Sequence, residues 1–428
     1  MTARFKLVHR AGPTSYRCFR PIRLLLLVAA TLLDASCNSG RETGPTAPPG
    51  GTEQPPESAT STTLISIYPG QNIQAKVNSY PAGTRFLIKK GTYYNQQVVP
   101  KNGSWFVGEA GSILDGKGTT LFAFDQDTIG PFPRDVHIKG LVIQHYNSPD
   151  QYGAIRAGDL KFGSSTGWVI ENCEIRYNEH GGIKLGNKTK VLNSFIHHNK
   201  QIGISGGGGD SVLVQGNEIS FNNYLKIYPF GNVLGGAKFI KTRWLTVRGN
   251  KVHDNQGNGI WTDIANIYAL VENNVVTANS GAGIMHEIGY DITIRNNTAT
   301  KNGFARTWIT GAGILISASA NATVYGNTVL DNKQGIVGIQ QKRTHDGVDY
   351  SSNLKNMYVH HNTVRVPSGG ISGLSSGVSD LTYTSRNNRY VSNSYDMGSD
   401  TKPFMWLNDR RTKAEWQKYG NDVNGTFF

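Results

Sequence analysis

At 428 residues, with 51 glycines, only 17% charged residues and five methionines, the chain is a poor candidate for long helices and a good one for short strands joined by tight turns. Its formal charge of +13 is spread along the sequence without a basic helix or an RNA-binding aromatic motif, which argues against nucleic acid; an acidic glycan and a negatively charged membrane surface are equally good electrostatic partners. Cys18 and Cys37 lie in or beside an N-terminal export segment, so Cys173 is left single and a disulfide framework is excluded.

In chain order, Arg10, Arg17, Arg20 and Arg23 precede an apolar run from Leu24 to Leu33 and the small residues Ala35-Ser36 before Cys37. This is the pattern of an export signal, and the run is too short for a comfortable membrane span. A cysteine directly after small residues resembles a bacterial lipoprotein processing site, although Asp34 stands where that pattern prefers leucine. The resemblance implies cleavage before Cys37, lipidation of its thiol, and an exported protein anchored to a membrane, or simply secreted if the lipid is absent. Residues 1–37 therefore read as signal peptide, and 38–62, dominated by Pro, Gly and Thr, as a linker that cannot pack a core.

From there a repeat takes over. Gly-Asn-Glu-Ile-Ser-Phe-Asn (216–222) is followed by similar units at 249–255, 273–279, 296–302 and 326–332, each pairing two asparagines five residues apart. The first asparagine falls at 217, 250, 274, 297 and 327; Cys173 and Ser194 fill the same slot earlier and Asn362 later, at spacings of 21 to 35 residues. The shorter spacings correspond to one turn of a three-strand coil, and the longer ones to insertions such as 224–235, 304–310 and 342–355. Stacked turns bring equivalent side chains to about 4.8 Å, so an asparagine at a fixed bend can hydrogen-bond above and below as a ladder. The competing reading, asparagine-rich turns of a sandwich, does not keep this register. The predicted fold is all-β: a parallel β-helix over 63–400, with 401–428 as a C-terminal cap in which Phe404-Met405-Trp406 and a short helical segment around Trp416 cover the last turn.

Ile65-Ser66-Ile67-Tyr68-Pro69-Gly70, Pro81-Ala82-Gly83-Thr84 and Lys90-Gly91-Thr92-Tyr93 resemble the opening of right-handed β-helix repeat proteins of the pectin-lyase-like superfamily. The resemblance spans about 63–400 and implies a right-handed coil whose opening segment caps the first turn. It names no reaction, because hydrolases, lyases, epimerases and non-enzymatic proteins share the scaffold.

A second recurring segment precedes each asparagine unit: Gly259-Ile260-Trp261-Thr262-Asp263 and Gly283-Ile284-Met285-His286-Glu287 are two examples. Strand alternation points the isoleucine and the residue two further on inward, and the other two outward. One outward column then holds Arg156, Lys184, Ser205, Lys238, Trp261 and Met285; the other holds Gly207, Ile240, Asp263, Glu287, Ser317 and Ile339. Asp263 and Glu287 on adjacent turns stand roughly 5 Å apart, where like-charge repulsion raises one pKa. Two chemistries fit. As nucleophile and acid/base the pair suits a retaining glycoside hydrolase, which needs no cofactor. As ligands of a Ca²⁺ that neutralises a uronate they suit β-elimination, with Lys238 as the base.

Trp261 offers a stacking face to a sugar, and Lys184 with Arg156 extends a basic strip along the groove; local packing and ordinary solvated surface are the plainer readings of each. His286 falls in an inward slot, near enough to the strand end that a substrate contact stays open beside a buried role. The His197-His198 and His360-His361 pairs read as structural, and no zinc spacing occurs. The Ser-Gly run 205–209 allows either substrate clearance or turn flexibility, and the loop carrying Gln340 to Asp346 is placed to wall one end of the groove. The expected protein is an exported, monomeric polysaccharide-degrading enzyme acting on an acidic glycan. The alternative is a catalytically silent β-helix that binds cell-surface glycan or scaffolds a partner, whose sign would be an Asp263 already paired with a basic side chain and shielded by loops.

Overall fold

The computed structural model describes residues 64–229 and 233–428. The export segment, Cys37 and the 38–62 linker lie outside the described residues. Small inward Ile, Val and Ala residues alternating with polar ones give short strands, most of three to six residues, that wind into a parallel β-helix. Two parallel sheets of 13 strands run the length of the coil, and a third of 12 joins them from Phe124–Asp125 onward, parallel except for its last strand, Asp409–Arg411, which pairs antiparallel.

The core is built by stacking like on like. Ile183, Ile204, Ala237, Ile260, Ile284, Ile314 and Ile336 share one register position on successive strands of the 12-stranded sheet, and all are essentially inaccessible to solvent. Val191, Val214, Val247, Val271, Ile294 and Val324 do the same on another face. Each such isoleucine or valine contributes roughly 1.5–3 kcal/mol of burial.

The asparagines five residues apart form two ladders. In one, Nδ2 of Asn178, Asn199, Asn222, Asn255, Asn279 and Asn302 each donates to Oδ1 of the next turn's asparagine at 2.8–3.0 Å, ending on Asn332. In the other, Asn217, Asn250, Asn274, Asn297, Asn327, Asn362 and Asn393 do the same at 2.9–3.0 Å, ending on Asp422. Ser194 and Cys173 occupy the earlier slots of this second row, Ser194 Oγ accepting from the Cys173 backbone N–H. Buried amides are tolerated here because both halves of each are satisfied.

Both ends are covered. The helix Ile73–Ser79, capped by Asn72, buries Ile73 and Val77 over the first turn. At the other end the capping segment also adds strands to the coil: Phe404–Trp406 extends the 12-stranded sheet and Thr426–Phe427 another. Between them the helix Lys413–Lys418, with a Thr412/Glu415 capping box, inserts Trp416 against Phe404, Trp406 and Tyr390.

Candidate functional site

The outward columns of the 12-stranded sheet fall as the alternation requires. Lys238, Trp261, Met285 and Leu315 share one row, and Ile240, Asp263, Glu287 and Ser317 the next. Lys238, Trp261, Asp263 and Glu287 line one cavity of about 290 Å³, together with Arg306 and Arg343. The last two come from the insertions that lengthen the later turns. Although they point away from the core, the four strand residues are only 5–8% exposed, because those insertions rise on either side.

Lys238 Nζ lies 2.8 Å from Asp263 Oδ2 and 3.5 Å over the ring centroid of Trp261, so one ammonium serves both an ion pair and a cation–π contact. Arg343 Nη1 reaches Glu287 Oε1 at 2.5 Å. Burial, reinforced by the neighbouring Asp263, nevertheless pushes the Glu287 carboxyl above the usual carboxylate range, with Arg343 and Lys238 opposing. Two buried polar atoms of this group have no hydrogen-bond partner in the protein: Asp263 Oδ1, an acceptor, and Trp261 Nε1, a donor. Such orphans are uncommon in folded proteins.

Asp263, Glu287, Lys238 and Trp261 are thus brought together as the register predicts, but each acid is already engaged by a cation. Lys238, expected as a proton-abstracting base, is instead committed to holding Asp263. The pair is also a poor match for Ca²⁺, which takes six to eight oxygens. Two carboxylates already neutralised by an ammonium and a guanidinium do not supply that set, and among the described residues no three His, Cys, Asp or Glu side chains come together as ligands.

Three further expectations are corrected. His286 does not face a ligand: it is wholly buried, its Nδ1 is 2.8 Å from Thr262 Oγ1, and burial lowers its pKa to about 3. Arg156 and Lys184 keep their row but form no open basic strip. Arg156 Nε is bonded to Asp125 at 2.6 Å, with Asp159 at 3.6 Å and the Phe122 ring beneath its guanidinium. Lys184 lies near the Tyr152 ring, and burial draws its ammonium down to about 8. The physical reason is a roof: residues 150–152 and the Gly158–Ser164 hairpin fold over this stretch of the sheet.

Arg306 and Arg343 were not assigned from sequence. The loop carrying Gln340 to Asp346 was expected to wall the groove, and its Arg343 does line the cavity; Arg306 was signalled only by the 30-residue turn from 297 to 327, whose surplus carries it.

A family model described as "Right handed beta helix region" matches residues 160–329. No curated protein matches the chain by sequence. Among solved structures, the chain is similar to the A-module of the Azotobacter vinelandii mannuronan C-5 epimerase AlgE6, at 15% identity and a TM-score of 0.64, over 83% of this chain and 93% of that one. It is similar to a mannuronic acid specific polysaccharide family 6 lyase from human gut microbiota, at 11% identity and a TM-score of 0.57, over 85% and 91%. It is also similar to the catalytic unit of a GH87 α-1,3-glucanase from Streptomyces thermodiastaticus, at 13% identity and a TM-score of 0.53, over 81% and 66%. These likenesses are of fold, and with the stacked parallel strands and the matched region they show the chain to be a right-handed parallel β-helix.

Proposed function

We propose that the cavity binds a polysaccharide and hydrolyses its glycosidic bonds, with Glu287 as acid/base and Asp263 as nucleophile. The observation that carries this reading is one cavity holding two carboxylates in register on adjacent strands, beside an indole, in unlike environments: Glu287 is pushed up by burial, while Asp263 is bonded to an ammonium. Strand spacing of about 4.8 Å is near the separation of retaining glycosidases. Asp263 would attack the anomeric carbon as the Glu287 proton passes to the leaving oxygen. Water, losing a proton to Glu287, would then displace the Asp263 ester. Lys238 orients Asp263, and Trp261 lends a face to the ring. Three cations, Lys238, Arg306 and Arg343, line the cavity against two carboxylates, an excess that favours an acidic glycan. The sequence signal at the N-terminus supports an exported enzyme tethered through Cys37; Cys37→Ser would then abolish incorporation of labelled lipid into the protein.

The test is Asp263→Asn and Glu287→Gln assayed against a panel of acidic and neutral glycans. Loss of new reducing ends in both variants supports hydrolysis, whereas unsaturated, ultraviolet-absorbing products from the wild type would replace it with elimination. A second reading, a non-catalytic glycan binder, is favoured by one specific observation: both acids already sit in ion pairs. Binding without cleavage by the wild type would select it.

A further inference from the structure

We infer that the groove is blind: a glycan enters only from the C-terminal side of the coil, by a chain end, and extends away from the carboxylates over a second pocket. This rests on reading the cavity as a glycan site and adds how the chain is held there.

The closed end is made by the chain itself. Leu160, in the Gly158–Ser164 hairpin, lies directly on the outward face of Gly207: a Cβ placed there would meet its side chain at 3.0 Å. Ser205, in the neighbouring row, donates from Oγ to the Gln151 carbonyl at 2.9 Å. Tyr152 hydroxyl bonds Asp159 Oδ2 at 2.6 Å, tying the two roofing segments together. The Ser-Gly run therefore makes room for Leu160 rather than for substrate. Gly207, Ile240 and Asp263 are successive in register, so the roof ends two strand spacings, about 10 Å, from the carboxylate. Little glycan fits in that space.

The other direction is open. A second pocket of about 260 Å³, lined in part by Ser375, Ser376 and Asn408, shares Ile339 and the exposed Gln341 with the carboxylate cavity. Glu287, Ser317, Ile339 and Ser375 are successive in register, so this pocket lies about 10–14 Å further along the same face. Ser375, Ser376 and Asn408 are hydrogen-bonded to one another in its floor, and the exposed Gln341 amide is the group placed to meet sugar hydroxyls. A chain seated across both pockets ends at the roof, so cleavage at Asp263 and Glu287 trims short units from one end.

The experiment uses oligouronate and oligoglucan ladders carrying a bulky fluorophore at either the reducing or the non-reducing end, titrated by fluorescence anisotropy against the full-length Glu287→Gln protein, with the untagged ladders as competitors. One tag position is expected to leave affinity within about twofold of the untagged sugar and the other to weaken it tenfold or more. Equal affinity with either end tagged overturns the blind groove while leaving the glycan site standing. Failure of every tagged and untagged ladder to bind overturns both. Gly377→Trp, at an exposed position that lines the second pocket and not the carboxylate cavity, is expected to weaken the longer oligomers more than the shortest; a loss independent of length overturns the second pocket.

Discussion

Lys238 Nζ stands 2.8 Å from Asp263 Oδ2 with both groups almost fully enclosed, so neither charge can be removed alone without leaving the other buried and unpaired. Lys238→Met is therefore expected to destabilise the protein by about 3–5 kcal/mol, and Lys238→Met/Asp263→Asn to recover most of that loss. Urea denaturation of the two single variants and the double variant measures it. Additive losses would show the pair to be uncoupled.

For catalysis, Asp263→Asn and Glu287→Gln are each expected to lower kcat by about three orders of magnitude or more while oligosaccharide binding persists. Trp261→Ala is expected to act differently, raising KM about tenfold through lost ring contact, a change of about 1.4 kcal/mol. Steady-state kinetics on one oligosaccharide separates the two patterns.

The guanidinium of Arg343 holds the Glu287 pKa down, so Arg343→Ala is expected to raise it further, moving the basic limb of the pH profile of kcat/KM to higher pH. Asp263→Asn acts in the opposite sense, removing a charge that pushes Glu287 up. A carboxyl NMR titration of Glu287 in that otherwise inactive variant should report a lower midpoint than in the wild type.

His286 is neutral in the fold, its pKa lowered by burial to about 3 from an ordinary 6.5. The unfolded chain therefore binds the proton first, and the stability that neutral His286 contributes is present above pH 6.5 and lost as the pH falls toward 3. Over that window the loss approaches about 1.4 kcal/mol per pH unit. Unfolding midpoints across pH 7 to 4 should fall less steeply in His286→Gln than in the wild type.

Within the ladders, Asn274 donates to Val247 O and Asn297 Oδ1 and accepts from both nitrogens of Asn250. Asn274→Ala strands several of these groups, for an expected loss of about 3 kcal/mol or more. Arg365→Ala, which removes an exposed pair with Asp331, is expected to cost less than about 1 kcal/mol. Thermal unfolding of the two variants gives the comparison.

The coil was legible because its signal is redundant: each asparagine slot repeats, and each repeat constrains the register of its neighbours. The same redundancy aligned Asp263 with Glu287 and Lys238 with Trp261 before any coordinates. What escaped was carried by segments that do not repeat. Arg343 belongs to a loop that also returns to Lys241 through Asp346, and nothing periodic announces where its tip will land. The roof over Arg156 and Lys184 was missed for the same reason, since strand alternation says which way a side chain points but not what lies above it. His286 was placed correctly inward, and its assignment to substrate failed on that geometry.

The final member of the longer ladder carries a meaning of its own. Every asparagine in the row both receives a hydrogen and passes one on, which makes the stack polar and, in principle, endless. Asp422 receives from Asn393, from the Tyr395 hydroxyl and from the Trp416 indole, but its carboxylate has no amide hydrogen to hand onward. A single oxygen in place of an NH₂ thus ends this row on a buried acceptor, held by Asn393, Tyr395 and Trp416 beneath the cap.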